Sequence, residues 1–288
     1  MDLIVIPSMG RSKRQQTLAC FERTEITESY SVVLAVPKNE LSRYRKPSYK
    51  GKPIKSKTMN KVDVVGIPED YAGISRTREY ILTTLAKQNK ARSVFMVDDD
   101  LSFCHRPVLD KPDMPYINSS AYDMHCMIET LTLWIEQGSA HVGLISRQAN
   151  RKTGIEYQEP GRMMNAYAYD AKIIQKLMTQ GKVALGRVPV MEDFDLTLQL
   201  IRLGYPSRVS CQYAWTQTSN MDGGCSSYRT AEVQAAAARK LAELHAPFVQ
   251  IVEREAKTWQ NDLTSRVDVR VAWKKAYETA KQSTKDAA

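Results

Sequence analysis

Long apolar runs are absent from this sequence. No stretch approaches the roughly 18 residues that a membrane-spanning helix needs, so a membrane protein is not expected. The start, MDLIVIPSMGR, has no basic segment ahead of its short apolar run. It reads as a first β-strand and not as a secretory signal. Cysteine is scarce. The five residues at 20, 104, 126, 211 and 225 are odd in number and form no CxxC pair. That excludes a disulfide framework and implies free thiols in a reducing cytoplasm. The four histidines fall in neither HxxxH nor HxE spacing, so a zinc hydrolase has no support. GxGxxG, a Walker loop and GxSxG are also missing, which removes dinucleotide, P-loop and serine-hydrolase readings.

What is present is ordinary in bulk and uneven in detail. The chain has 288 residues, 43% hydrophobic and 25% charged, enough for one large domain or two small ones with a sizeable core. The formal charge is +9. Residues 38–61, KNELSRYRKPSYKGKPIKSKTMNK, hold nine Lys or Arg against the single acid Glu40, a local charge of +8. The rest of the chain is nearly neutral. A concentrated basic segment on a neutral body points to a polyanionic partner. Pro47, Gly51 and Pro53 argue against a helix here, so the segment reads as a long loop.

Buried-strand signals occur at LIVIP (3–7), YSVVLAV (30–36), VDVVGI (62–67) and SVFMV (93–97). Helical spacing falls between the first two and over 75–88. The alternation predicts an α/β fold with a Rossmann-type, mostly parallel sheet flanked by helices. Ligands bind at the carboxyl ends of such strands. The turns after LIVIP, after VVLAVP and after VFMV therefore share one face. Residues 226–288 read as a largely helical C-terminal extension of a domain spanning 1–225.

Three constellations sit on or near that face. Asp98, Asp99 and Asp100 follow the strand SVFMV directly. Three adjacent carboxylates repel unless something positive neutralises them, and oxygen ligands suit Mg²⁺ or Mn²⁺. A solvated, helix-capping turn is the plainer alternative. Glu192, Asp193 and Asp195 open a helix, where acids are favoured by the dipole in any case; functionally, one of them is a general base. Arg11, Arg76 and Arg78 flank strands on the same face, and arginine suits phosphate and carbonyl oxygens.

The ordered set IPSMGRSKRQQTL, GISRTREYI, VFMVDDDLSF and MEDFDLTLQLIRLGY resembles a GT-A-fold glycosyltransferase. More narrowly, it is similar to the phage DNA-modifying glycosyltransferases associated with TET/JBP-type hydroxylases. The resemblance covers about residues 1–225. It implies a UDP-sugar donor held with Mn²⁺ or Mg²⁺, and modified DNA of the 5-hydroxymethylcytosine type as acceptor, in the cytoplasm of an infected bacterium. Ser8 and Arg11 would meet the nucleobase. Asp98 would lie near the ribose and reach the metal, Asp100 would hold the metal, and Asp99 could serve either role. Arg76 and Arg78 would lie near the pyrophosphate or sugar. Asp193, with Glu192 as its alternate, would be the acceptor-side base. The late loop TSNMDGGCSSYRT offers Asp222 in place of the histidine that often completes the metal shell. DNA contacts are expected from Arg43, Arg45, Lys46, Lys50, Lys52, Lys55 and Lys57, with Tyr44 and Tyr49 stacking on bases. The competing readings are a cytoplasmic GT-A enzyme with a sugar, lipid or protein acceptor, and a non-catalytic DNA-binding module whose aspartates are structural.

Overall fold

A computed structural model describes residues 1–149, 154–217, 223–255 and 265–286. The strands are β1 Leu3–Pro7, β2 Val32–Pro37, β3 Ser48–Tyr49, β4 Lys52–Pro53, β5 Val62–Ile67, β6 Ser93–Val97, β7 Leu101–His105, β8 Ile117–Asn118, β9 His141–Ser146, β10 Tyr157–Gln158, β11 Ala166–Asp170, β12 Arg208–Gln217, β13 Val249–Glu255 and β14 Ser265–Val271. The central sheet runs β5-β2-β1-β6-β11-β9-β12-β7-β8, with β10 on β12. The four strands β5, β2, β1 and β6 pair in parallel, and β9 pairs parallel to β12. β11 runs antiparallel between β6 and β9. This is the expected α/β architecture, a large central sheet flanked by helices.

Every residue of β1 is buried, and its side chains alternate between two cores. Ile4 and Ile6 join Phe21, Phe95 and Met127 on one face; Leu3 and Val5 join Leu82, Met96 and Tyr167 on the other. A sheet covered on both faces needs such continuous apolar strands. The strands therefore stop where charge begins, and β6 gives way at once to Asp98.

The C-terminal extension is not helical throughout. Helices Ala231–Leu244 and Trp273–Asp286 frame a hairpin of β13 with β14. The sequence RVDVRV alternates strictly, which suits a strand with one face covered. Val249 and Val269 of this hairpin pack with Phe194, Leu198, Ile201, Leu241, Phe248 and Ala276 in a third core. The extension is thereby fixed to the helix that carries Glu192 and Asp193.

The basic segment also folds. It forms short helical turns at Leu41–Tyr44 and Ser56–Met59 and a small β3–β4 hairpin. Leu41, Tyr44 and Ile54 supply apolar anchors that pack against the sheet core, so a segment rich in lysine is still tied down.

Candidate active site

Two turns from the parallel half of the sheet build the centre. Asp98–Asp100 leave β6, and Ser8–Gln15 leave the neighbouring β1. Thr17, in the first turn of helix Gln16–Arg23, pins the acidic turn. Its Oγ1 donates to the Asp98 carbonyl at 2.5 Å and accepts from Leu101 N at 2.9 Å, and its N–H donates to the Asp99 carbonyl at 3.1 Å.

Each carboxylate of the turn has its own partners. Arg11 Nη1 donates to Asp99 Oδ1 at 2.8 Å and to Asp100 Oδ2 at 2.9 Å, and Nη2 donates to the Gly223 carbonyl at 3.1 Å. Gln217 Nε2, at the end of β12, reaches both Asp100 oxygens at 2.9 Å. Ser8 donates to Asp99. Because its single proton is used there, Ser8 Oγ accepts from Gln15 Nε2 at 2.8 Å and from the Tyr44 hydroxyl at 2.9 Å. The Tyr44 oxygen in turn accepts from Arg11 N at 3.0 Å.

Asp98 faces the other way. Arg78 Nη2 donates to Asp98 Oδ1 at 3.0 Å, and Nη1 is paired with Glu192. One guanidinium thus joins the acidic turn to a helix start 94 positions away, counted from Asp98 to Glu192. Asp193 lies beside this pair, half-buried, its carboxylate in no hydrogen bond or ion pair among the described residues. Under the pair, Ser75, Tyr167, Tyr169 and Leu196 line a cavity of about 10 Å³, room for roughly one water. Arg78 Nε, Ser75 Oγ and the Tyr167 hydroxyl are buried there without a hydrogen-bond partner.

The electrostatics follow from burial. Loss of solvent pushes Asp98 up to about 7; Arg78 opposes this, while Asp100, Asp99 and Glu192 add to it. Burial likewise pushes Asp99 up to about 6 against the pull of Arg11. Glu192 is also raised, by burial first and then by Asp193. Five carboxylates, Asp98–Asp100, Glu192 and Asp193, face the guanidinium groups of Arg11 and Arg78, with Arg229 also acting on Glu192. The site carries excess negative charge, which a bound cation would relieve.

Among the described residues no three His, Cys, Asp or Glu side chains converge as a metal cage. The donor set fits a magnesium-like ion only in the mode that uses one or two carboxylates and completes its shell with substrate phosphates and water. Asp222 lies outside the described residues. Arg76 makes no hydrogen bond to the acidic turn: its guanidinium is paired with Glu79 and sits 5.0 Å from the Tyr71 ring centroid.

The basic segment lies beside the centre. Arg43, Arg45, Lys46, Lys50, Lys52, Lys55 and Lys57 are all exposed. Tyr44 is fully buried, so the expected stacking of Tyr44 on a base is corrected: the ring belongs to the core and its hydroxyl to the Ser8–Arg11 turn. Tyr49 is half-buried, its hydroxyl donating to Gln16 Oε1 at 3.2 Å. Lys57 has Glu28 3.7 Å away, which dilutes it as a phosphate contact.

Three sets of contacts are invisible in the sequence pattern. Gln217 joins Asp100 across the sheet. Gly223 and Gly224 press on Arg11, a Cβ at Gly223 falling 3.0 Å from Arg11 Cγ. Asp195, buried one helical turn beyond Glu192, accepts from His245 Nε2 at 2.7 Å and from Arg187 Nε at 3.0 Å. Because the Asp195 carboxylate can only accept, His245 Nε2 is the donor to it, and Nδ1 is left to accept from Arg202 Nη1 at 3.3 Å, while Arg187 Nη2 packs 3.2 Å from Nε2. No spacing rule links residues 195 and 245.

Residues 3–224 match the family described as TET-Associated Glycosyltransferase. Among curated proteins none matches. Two solved structures are similar at low identity. One, "A197 from STIV", is 10% identical, with 76% of this chain and 87% of that chain covered and a TM-score of 0.40. The other, "a Mycobacterial Protein", is 11% identical, with 96% and 87% covered and a TM-score of 0.46. The family match encloses both the Asp98–Asp100 turn and the Glu192–Asp193 pair, and this chain belongs to the TET-Associated Glycosyltransferase family.

Proposed function

We propose that this protein transfers a sugar from a UDP-type nucleotide sugar to the hydroxyl of a modified pyrimidine, of the 5-hydroxymethylcytosine type, in DNA. The observation that carries the reading is Arg78. It draws an acidic turn suited to a nucleotide diphosphate and a helix start bearing two further acids into one centre.

In this reading the donor lies across the carboxyl ends of β1 and β6. Ser8, Arg11 and Asp99 bind its nucleoside end. Asp100 and Asp98 would hold Mn²⁺ or Mg²⁺ together with the diphosphate, and the ion would neutralise charge on the departing phosphate. Arg78 holds Asp98 and Glu192 at fixed separation. Glu192 is committed to that ion pair, whereas Asp193 is uncommitted and takes the proton of the acceptor hydroxyl. The acceptor oxygen bonds to the anomeric carbon, and the bond from that carbon to the diphosphate oxygen breaks with its electron pair leaving on phosphate. The exposed lysines and arginines of residues 43–55 support a DNA acceptor over a small sugar or a protein, because each phosphate neutralised releases counterions.

The donor half of this reading is tested by thermal shift. UDP with Mn²⁺ is expected to raise Tm more than UDP or Mn²⁺ alone, and Asp100→Ala to abolish that excess. An unaltered metal-dependent shift in Asp100→Ala would remove Asp100 from the site.

A further inference from the structure

We propose that the β3–β4 ribbon docks in the major groove of double-stranded DNA, beside the base to be modified. This rests on the transferase reading above and specifies the form of its acceptor.

The ribbon is a short hairpin with an exposed tip. Ser48 pairs with Pro53 and Tyr49 with Lys52. Its two turn residues, Lys50 at φ 48° and Gly51 at φ 74°, are both left-handed, as a tight two-residue hairpin turn requires. Lys50, Gly51, Lys52 and Pro53 are exposed. The root is sewn to the nucleotide-site turn. Ser48 N donates to the Ser12 carbonyl at 2.9 Å, Gln15 N to the Ser48 carbonyl at 3.0 Å, and Tyr49 packs its hydroxyl on Gln16. Gln15 touches Ser8, which touches Asp99. The ribbon therefore stands at the rim of the acidic centre.

Its charge is uncompensated. Among the described residues Lys13, Arg43, Arg45, Lys46, Lys50 and Lys52 are in no ion pair, and all are exposed. The neighbouring acids are engaged elsewhere. Glu40 accepts from Gly10 N at 2.8 Å, Glu22 from Lys55 N at 2.7 Å, and Glu28 faces Lys57 and Lys61. The Tyr49 hydroxyl is held by Gln16 and the Lys50 ammonium lies 5.4 Å from its ring centroid, so one face of this half-buried ring is already taken by a cation. Among the described residues of 38–61 every exposed side chain is non-aromatic, so this surface suits phosphates and grooves better than the base-stacking platforms of single-strand binders. The major groove, about 12 Å wide, admits a two-stranded ribbon. It is also the groove into which the 5-substituent of a pyrimidine projects, so a ribbon seated there brings the acceptor hydroxyl to the face that carries Asp98–Asp100.

The test is DNA binding without donor, which needs no turnover. A fluorescein-labelled hydroxymethylcytosine duplex and its single strand are titrated with the full chain over a salt series, against methyl green as a major-groove competitor and distamycin as a minor-groove one. The duplex is expected to bind more tightly than the single strand, and methyl green to displace it where distamycin does not. Lys50→Ala with Lys52→Ala is expected to flatten the log–log salt slope by up to about 2, with melting unchanged as the check of fold. Equal affinity for the single strand, displacement by distamycin alone, or an unchanged slope would each overturn the proposal. Loss of sugar transfer with this binding pattern intact would instead count against the transferase reading.

Discussion

Asp98 carries its negative charge at a cost to the folded protein, and Asp98→Asn is expected to make the ligand-free protein more stable at pH 8. The folded carboxyl sits at about 7 against an ordinary 3.8. The folded state therefore holds the proton more tightly than the unfolded chain does. Stability is lost as pH rises from about 4 to about 7, and the cost is complete above that window. The displacement corresponds to at most about 4 kcal/mol. Two effects reduce the gain on removing the charge: the side chain is 28% exposed, and Arg78 loses one of its two anionic partners. A net gain of about 1–2 kcal/mol remains, or a rise in Tm of roughly 2–3 °C for a chain of this length. Differential scanning calorimetry of both proteins from pH 4 to pH 8 reads it directly. The variant's advantage is expected to be largest at pH 8 and to vanish toward pH 4. With UDP and Mn²⁺ present the order is expected to reverse, because the parent regains the cation that its carboxylates lack. A difference in Tm that does not vary with pH would refute the argument that excess negative charge at Asp98 is what the site holds in reserve for a cation.

Asp193→Asn is expected to lower kcat by about 10²–10⁴-fold with little change in UDP affinity; steady-state kinetics with isothermal titration of UDP separates the two. Gly223→Ala sets a Cβ 3.0 Å from Arg11 Cγ at a residue with φ 89°, so it is expected to displace Arg11 and weaken UDP binding, read by the same titration. His245→Leu leaves Asp195 without its Nε2 donor and is expected to cost about 1–3 kcal/mol in urea unfolding, while His245→Gln keeps a donor and recovers most of it; equal losses in the two variants would show that packing, not the hydrogen bond, is what His245 supplies.

The sheet was legible because its strands are short apolar runs with charge or turn residues at their ends. SVFMV followed by three aspartates left little freedom: the strand had to be buried and the acids had to lie at its carboxyl end. Helical geometry also held a clue to the arginines. Arg76 and Arg78 stand about 200° apart around the helix axis, so only one could face Asp98, and the structure puts Arg78 there. Tyr44 was hidden by composition. Surrounded by lysine and arginine it looked like a DNA-facing ring, yet Leu41 three residues earlier marks the buried side of the same turn. In the extension, RVDVRV alternates as a strand should, but the flanking alanine-rich and lysine-rich stretches are helical and carried the reading for the whole tail. The contacts of Gln217 with Asp100 and of His245 with Asp195 depend on chain crossings that no local pattern encodes.

The central claim, that this centre moves a sugar onto a modified base, is tested most directly by mass spectrometry. Duplex DNA containing 5-hydroxymethylcytosine is incubated with the protein, Mn²⁺ and a panel of UDP-sugars, digested to nucleosides and weighed. One donor is expected to add the mass of a single sugar to the hydroxymethylated nucleoside, with unmodified cytosine unchanged and Asp193→Asn giving little product. Hydroxymethylated nucleoside of unaltered mass with every donor, from protein that binds the duplex, would contradict it.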